Sequence, residues 1–158
     1  MMAAVVLVGC GTTKIDPNAP VNIADPIFEK AVRKSLKKPE GELTAGDLEK
    51  VTRLILADTQ ITDVGLKEVA KLQKLKQLYL QRTKITDAGL KEVAHLQQLT
   101  YLELYGTQIT DADLKELAKL QKLERIYLFD TKVTKAGVAE LQKALPNCNI
   151  SGGPFLYF

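Results

Sequence analysis

The 158-residue sequence has little of what most chemistry needs: one histidine and two cysteines. One histidine cannot build a histidine-based metal site, and two cysteines cannot make a disulfide framework. An excess of either charge is missing too. The 22 Lys and Arg stand against 19 Asp and Glu, a net of +3 that is spread along the chain and does not mark a nucleic-acid binder. The apolar stretch Met1 to Cys10 is too short to cross about 30 Å of hydrocarbon as a helix. No phosphate loop, zinc motif or serine elbow occurs. A content of 46% apolar and 26% charged residues excludes wholesale disorder, collagen and a multi-span membrane protein, and the length fits one domain.

What the sequence does have is a repeat. Leu75, Leu78, Leu80, Thr83, Ile85, Thr86, Asp87, Gly89, Leu90, Val93, Ala94 and Leu96 form a line that returns at a period of roughly two dozen residues. Leu99, Leu102, Leu104, Thr107, Ile109, Thr110, Asp111 and Leu114 fill the same slots one period later. Val51, Leu54, Leu56, Thr59, Ile61, Thr62, Asp63 and Gly65 fill them one period earlier, and Leu123, Ile126, Leu128, Thr131, Val133, Thr134 and Gly137 two periods on. Leu78-Tyr79-Leu80 alternates apolar and variable residues, the mark of a strand with one buried face. Leu90, Val93 and Ala94 sit at i, i+3 and i+4, so a short amphipathic helix follows. Thr86 or Asp87 stands where a helix N-cap is expected. One copy cannot bury its own apolar side. Stacked copies can, with a parallel sheet on one wall and helices on the other.

The residues from Val51 to about Ile150 resemble the leucine-rich-repeat family, and the Thr-x-Ile-Thr-Asp-x-Gly-Leu-Lys-Glu-Leu form resembles its helical, ribonuclease-inhibitor-like class. The resemblance implies an α/β fold: a right-handed solenoid with a parallel sheet on its concave side and helices on its convex side. Thr59, Thr83, Thr107 and Thr131 take the slot in which the family usually has an asparagine. A ladder of them can serve adjacent turns. Asp113 replaces the glycine of Gly65, Gly89 and Gly137, and Lys135 replaces the capping aspartate. A shifted helix start in the third copy and a cap resting on Thr134 in the fourth are expected.

Solenoid ends expose core and need covers. Asp25-Pro26-Ile27-Phe28-Glu29 starts a cap helix that Pro39 and Gly41 stop, and a second short helix runs from Thr44 into Val51. This block resembles the N-terminal cap of internalins. At the other end Ile150 takes the slot one period after Ile126, so a last edge strand is expected, followed by an apolar flap from Phe155 to Phe158. Leu7-Val8-Gly9-Cys10 resembles the lipobox of bacterial lipoproteins, which implies acylation of Cys10 and a membrane-anchored location in the bacterial cell envelope; without it the chain is secreted or cytoplasmic. The organisation expected is a signal over residues 1–10, a tether over 11–21, the helical cap over 22–50, four repeats over 51–146, and the edge strand with tail over 147–158.

The outward strand positions are Arg53, Ile55, Ala57 and Asp58; Gln77, Tyr79, Gln81 and Arg82; Tyr101, Glu103, Tyr105 and Gly106; and Arg125, Tyr127, Phe129 and Asp130. Four of the five tyrosines fall there, and Tyr and Arg supply much of the energy of protein interfaces. Arg53, Gln77, Tyr79, Tyr101, Glu103, Tyr105, Arg125, Tyr127 and Phe129 are therefore the candidate partner-binding residues. The plainer alternative makes Tyr79 and Tyr127 good strand formers and Arg53 and Arg125 solvated charges. Lys30, Arg33, Lys34, Lys37 and Lys38 form a basic stripe on the cap helix, read as a solvated face or, in a structural cell-envelope protein, as a contact to membrane or wall. His95 fills a lysine slot, and Cys148 has no basic partner nearby. The expectation is a non-enzymatic module without metal or cofactor that binds a protein or peptide partner and no nucleic acid, with a two-fold dimer through the apolar tail as a further expectation.

Overall fold

The computed structural model describes residues 16–153. The lipobox with Cys10, the first part of the expected tether and the tail Phe155 to Phe158 lie outside the described residues. Five short strands form one parallel sheet in chain order: β1 (Arg53–Ile55), β2 (Gln77–Tyr79), β3 (Tyr101–Glu103), β4 (Arg125–Leu128) and β5 (Asn149–Gly152). Arg53, Gln77, Tyr101, Arg125 and Asn149 stand side by side, so every turn of the solenoid takes 24 residues. The convex wall carries α3 (Asp63–Val69), α4 (Asp87–Val93), a 3-10 helix (Leu114–Lys119) and α5 (Lys135–Ala144). Between the walls Leu54, Leu78, Leu102 and Ile126 make one fully buried column, and Leu56, Leu80, Leu104 and Leu128 a second. Each such leucine contributes about 2 kcal/mol by leaving water, which outweighs the weak propensity of three-residue strands.

The N-terminal cover is helical. In α1 (Pro26–Leu36), Asp25 Oδ1 accepts from Ile27 N and Phe28 N at 2.8 and 2.9 Å. Phe28 and Val32 are its fully buried residues, closing the core over the first repeat. In α2 (Ala45–Lys50), Thr44 and Asp47 form a reciprocal capping box. The stretch from Asp16 to Val21 does not run as a spacer. Ala19 O and Pro17 O accept from Ala45 N and Gly46 N, Val21 N donates to Leu43 O, and Val21 packs on the core. Buried apolar contact and satisfied backbone groups hold this part of the expected tether to the cap.

Three local expectations change. First, the aspartates do not cap their own helices: Asp63 accepts from Thr86 N and Oγ1 at 2.8 and 2.7 Å, and Asp87 does the same for Thr110 at 2.7 and 2.6 Å. Asp111 serves Thr134 in the same way, at 2.8 and 2.5 Å. Each carboxylate thus ties one repeat to the next, and Lys135 falls where that ladder has no later repeat to reach. Second, Thr59, Thr83, Thr107 and Thr131 donate to Leu56, Leu80, Leu104 and Leu128 carbonyls of their own repeat, at 2.6 to 2.7 Å, and do not bridge neighbours. Third, the strands end earlier than the outward-facing pattern suggests. Asp58, Arg82, Gly106 and Asp130 lie in the turn beyond, with φ of 57, 52, 66 and 53°. That left-handed turn is stabilised because the backbone N–H groups of Asp58, Arg82 and Gly106 donate to Gln81, Tyr105 and Phe129 carbonyls one repeat on.

The third copy does shift. Its 3-10 helix begins at Leu114, whereas α4 begins at Asp87, one repeat before Asp111. The fourth helix is capped as expected, with Thr134 Oγ1 accepting from Gly137 N at 3.2 Å.

Candidate binding surface

The period-two alternation that sends Leu78 and Leu102 inward sends their neighbours outward, onto the sheet's open face. Two rows of side chains result from the parallel register. One row holds Arg53, Gln77, Tyr101 and Arg125, and the other Ile55, Tyr79, Glu103 and Tyr127. The three tyrosines alternate between the rows across β2, β3 and β4. Tyr79 and Tyr101 have ring centroids 5.0 Å apart at 34°, and Tyr101 and Tyr127 lie 5.5 Å apart at 45°. Tilted pairs at this separation contribute about 0.5–1.5 kcal/mol each beyond area burial, so the rings hold one another in place. All three remain half-buried, neither packed into the core nor fully in solvent.

Polar groups fix the strip at its β1 end and in its middle. The Arg53 guanidinium carbon lies 4.8 Å from the Tyr79 ring centroid, a cation–π contact that extends the strip onto β1. Tyr101 Oη donates to Glu103 Oε2 at 2.8 Å. Burial first, and then that bond to the Glu103 carboxylate, raise the Tyr101 hydroxyl well above the usual tyrosine range. Tyr101 is therefore a neutral donor at any physiological pH. The Arg82 side chain leans over Tyr105 at 5.5 Å and pairs with Asp58 at 3.2 Å, along the turn edge of the sheet.

The expected residues fall into two groups. Arg53, Gln77, Tyr79, Tyr101, Glu103, Arg125 and Tyr127 lie on strands and share the open sheet face. Tyr105 and Phe129 lie just past that aromatic strip, Tyr105 in the turn after β3 and Phe129 after β4, and Phe129 is 39% exposed. Ile55, an outward position outside the expected partner-binding set, is 45% exposed at the β1 end of the second row. Its signal was available as an aliphatic residue where the next repeats carry tyrosine, glutamate and tyrosine.

The other candidates find structural settings. Arg33 pairs with Glu29 at 2.8 Å and donates to the Gly41 carbonyl, and Lys38 pairs with Asp47 at 2.7 Å, so the basic stripe is interrupted at two of its five positions. Asp47 is held far below the usual carboxylate range, mainly by its hydrogen bond to Lys38. Cys148 is buried, which pushes its thiol up to about 11, and His95 is exposed beyond α4. Among the described residues no group of three or more His, Cys, Asp or Glu side chains is placed to hold a metal ion. No helix among them is long and apolar enough to cross a membrane.

Residues 49–109 match the family model described as leucine rich repeat. No curated protein matches the chain. Among solved structures, an internalin (inlF) from Listeria monocytogenes is similar, with a TM-score of 0.66 and 26% identity over 87% of this chain and 39% of that one. Internalin C2 (inlC2) from the same organism gives a TM-score of 0.60 and 25% identity, over 89% of this chain and 72% of that one. The chain therefore spans well under half the length of the first of these relatives. A 24-residue repeat, a parallel sheet in chain order, a helical N-terminal cover and these matches have one common meaning: residues 49–109 carry leucine-rich repeats, and the chain has the leucine-rich-repeat solenoid fold.

Proposed function

We propose that this protein is a non-enzymatic binding module whose concave sheet holds a protein or peptide partner. The observation that carries the reading is the strip Arg53, Tyr79, Tyr101 and Tyr127, pre-stacked across four strands. Rings that already hold one another lose little conformational freedom on binding, so more of their contact area counts toward affinity. Each ring also keeps a polar handle for orientation, and the flanking Gln77, Glu103 and Arg125 supply hydrogen bonds at the rim. Tyr105 and Phe129 extend the surface along the turn edge. The repeats belong in this reading to the helical, ribonuclease-inhibitor-like class.

The test is a displayed peptide library selected against the full chain and against the paired variant Tyr101→Ala with Tyr127→Ala. Selection that enriches binders on the parent and loses them on the variant, with both proteins melting cooperatively, supports the concave face. Equal enrichment on both rejects it.

The same proposal places the protein in a bacterial cell envelope, anchored through an acylated Cys10 that follows Leu7-Val8-Gly9. Mass spectrometry of the natively expressed protein should then show a diacylglyceryl group on Cys10. An unmodified Cys10 in the mature chain counts against the anchor and leaves the binding face untouched.

A further inference from the structure

Where α1 meets β1, the open sheet face runs into a recess of about 480 Å³ lined by Ile27, Lys30, Ala31, Lys34, Ile55 and Ala57, among others. It shares Ala31, Lys34 and Ile55 with a second recess of about 330 Å³ that reaches Lys50, Thr52 and Arg53. Four cations, Lys30, Lys34, Lys50 and Arg53, line the joined cleft and no carboxylate does, Lys50 alone of them pairing outward with Asp47 at 3.2 Å. In a chain that carries 19 acidic residues against 22 basic ones, such one-sidedness is local and not inherited from composition. Lys30 and Lys34 are exposed and have no ion-pair partner among the described residues, in contrast to Arg33 and Lys38 on the same stretch. One exposed isoleucine is ordinary on a protein surface. Ile55 differs because Ile27 and Ala31 wall it on the helix side, Ala57 lies beside it, and its register partner Tyr79 begins the aromatic strip.

We propose that this cleft takes an extended acidic segment of the partner: one apolar side chain sits on Ile55 against Ile27 and Ala31, and carboxylates on either side of it meet Lys30, Lys34 and Arg53. The proposal rests on the concave sheet being the binding face and names the chemistry of what binds there. Cleft and strip are continuous, so a bound segment runs from α1 across Arg53 and Tyr79 toward Tyr127. The shape favours a peptide over a membrane. A flat anionic bilayer meets Lys30 and Lys34 but leaves the recess behind them empty, whereas a side chain fills it. Charges at the rim also speed the encounter of an acidic partner, and salt weakens that effect.

The experiment titrates the full chain, labelled with nitrogen-15, with the peptide Asp-Glu-Asp-Leu-Asp-Glu-Asp, with the same peptide carrying glycine for leucine, and with a lysine-substituted version. The expected result is amide shifts at Ala31, Ile55 and Ala57 with the first peptide, weaker shifts with the second and none with the third. Ile55→Glu and the pair Lys30→Glu with Lys34→Glu should each weaken binding about 10-fold, typical of losing an interface anchor. Lys67→Glu with Lys115→Glu, the same charge change on the convex side, should leave it unchanged. Absence of shifts, or binding indifferent to Ile55→Glu, overturns the proposal. Shifts confined to Tyr101 and Tyr127 overturn it and leave the concave-face reading standing. Flotation with phosphatidylglycerol vesicles that is lost on reversing Lys30 and Lys34, with no peptide shifts, assigns the cations to a membrane and overturns it also.

Discussion

The second and third repeats share nearly every core position, yet one builds an α-helix and the other a 3-10 helix that starts later. The difference traces to one residue. A Cβ on Gly89 would lie 2.6 Å from Asp63 Oδ1 and 2.8 Å from Leu66 Cδ1, so the start of α4 presses directly on the preceding repeat. A Cβ on Gly137 would meet Asp111 Oδ1, and one on Gly65 would meet Ile61 Cδ1 and Asp25 Oδ2, in the same way. Asp113 occupies this slot in the third repeat, where a side chain has no room and a second carboxylate would face Asp87. The chain retreats: Asp113 reaches instead to Lys91 at 3.1 Å, Ala112 N donates to Thr110 Oγ1, and the helix begins at Leu114. A groove of about 510 Å³ lies between this helix and α5, lined by Leu114, Ala118, Ala136 and Leu141, among others. Close approach of successive helices in this solenoid is therefore set by glycine as much as by leucine.

The largest effect should come from making the second repeat like the third. Gly89→Asp places a side chain and a charge against Asp63, and a cost of about 2–4 kcal/mol is expected from overpacking together with an unpaired carboxylate. Urea unfolding should show it as a lower midpoint, with loss of helical signal in far-ultraviolet circular dichroism. A loss under about 1 kcal/mol would break the explanation.

Asp87→Ala comes next. Asp87 holds Thr110 N and Oγ1 of the third repeat, so its removal leaves two partly buried donors without acceptors, at a cost of about 1–2 kcal/mol. Thr110→Ala should remove the side-chain half of the same tie. A double-mutant cycle between the two should be non-additive, whereas a carboxylate that capped α4 would give independent effects. Asp113→Gly, the reverse exchange, should restore α-helical hydrogen bonding over Leu114–Lys119 at a stability change within about 1 kcal/mol. The entropic cost of glycine and the loss of a partly exposed ion pair with Lys91 offset the gain in packing. Unchanged circular dichroism would show that something other than Asp113 holds the 3-10 geometry.

These contrasts separate what sequence carries from what it hides. Apolar periodicity is a property of each residue's own slot, so the strands at Leu78 and Leu102, the cap at Asp25 and the pairing of Ile126 with Ile150 could be read from spacing alone. The replacement of glycine by Asp113 also marked the altered helix correctly. The partner of a polar side chain is different, because Asp63 lies next to Thr86 only after the solenoid closes, 23 residues away in sequence. Local rules therefore assigned the aspartates to their own helices and the threonines to neighbouring turns, and both assignments had to be exchanged. On the open face, alternation placed Tyr79, Tyr101 and Tyr127 outward but could not give their mutual tilt. Ile55 gained meaning only when α1 was seen beside β1, a contact between the cap and the repeats that no local spacing records.

The concave side of the third repeat shows none of the disturbance of its convex side, and Tyr101 is the place to test that independence. β3 keeps the register of its neighbours on both sides, and Tyr101 keeps its bond to Glu103 at 2.8 Å. Tyr101→Phe removes that bond while leaving the ring stacked, so a loss of about 0.5–1 kcal/mol at neutral pH is expected. Its pH dependence has a defined sign. The folded-state pKa of Tyr101 is raised by burial and by Glu103, so the contribution of the neutral hydroxyl is complete below the unfolded tyrosine value near 10 and is lost as pH rises toward the folded one. The parent should thus lose its advantage over the phenylalanine variant in alkali, and absorbance titration of tyrosinate should show one fewer late-ionising group in the variant. Combined with Asp113→Gly, the effect of Tyr101→Phe should be unaltered, because the buried layer of Leu102, Leu104, Ile109, Leu114 and Leu117 separates the sheet from the helix of this repeat. Coupling above about 0.5 kcal/mol would mean that the convex retreat is felt on the binding face after all.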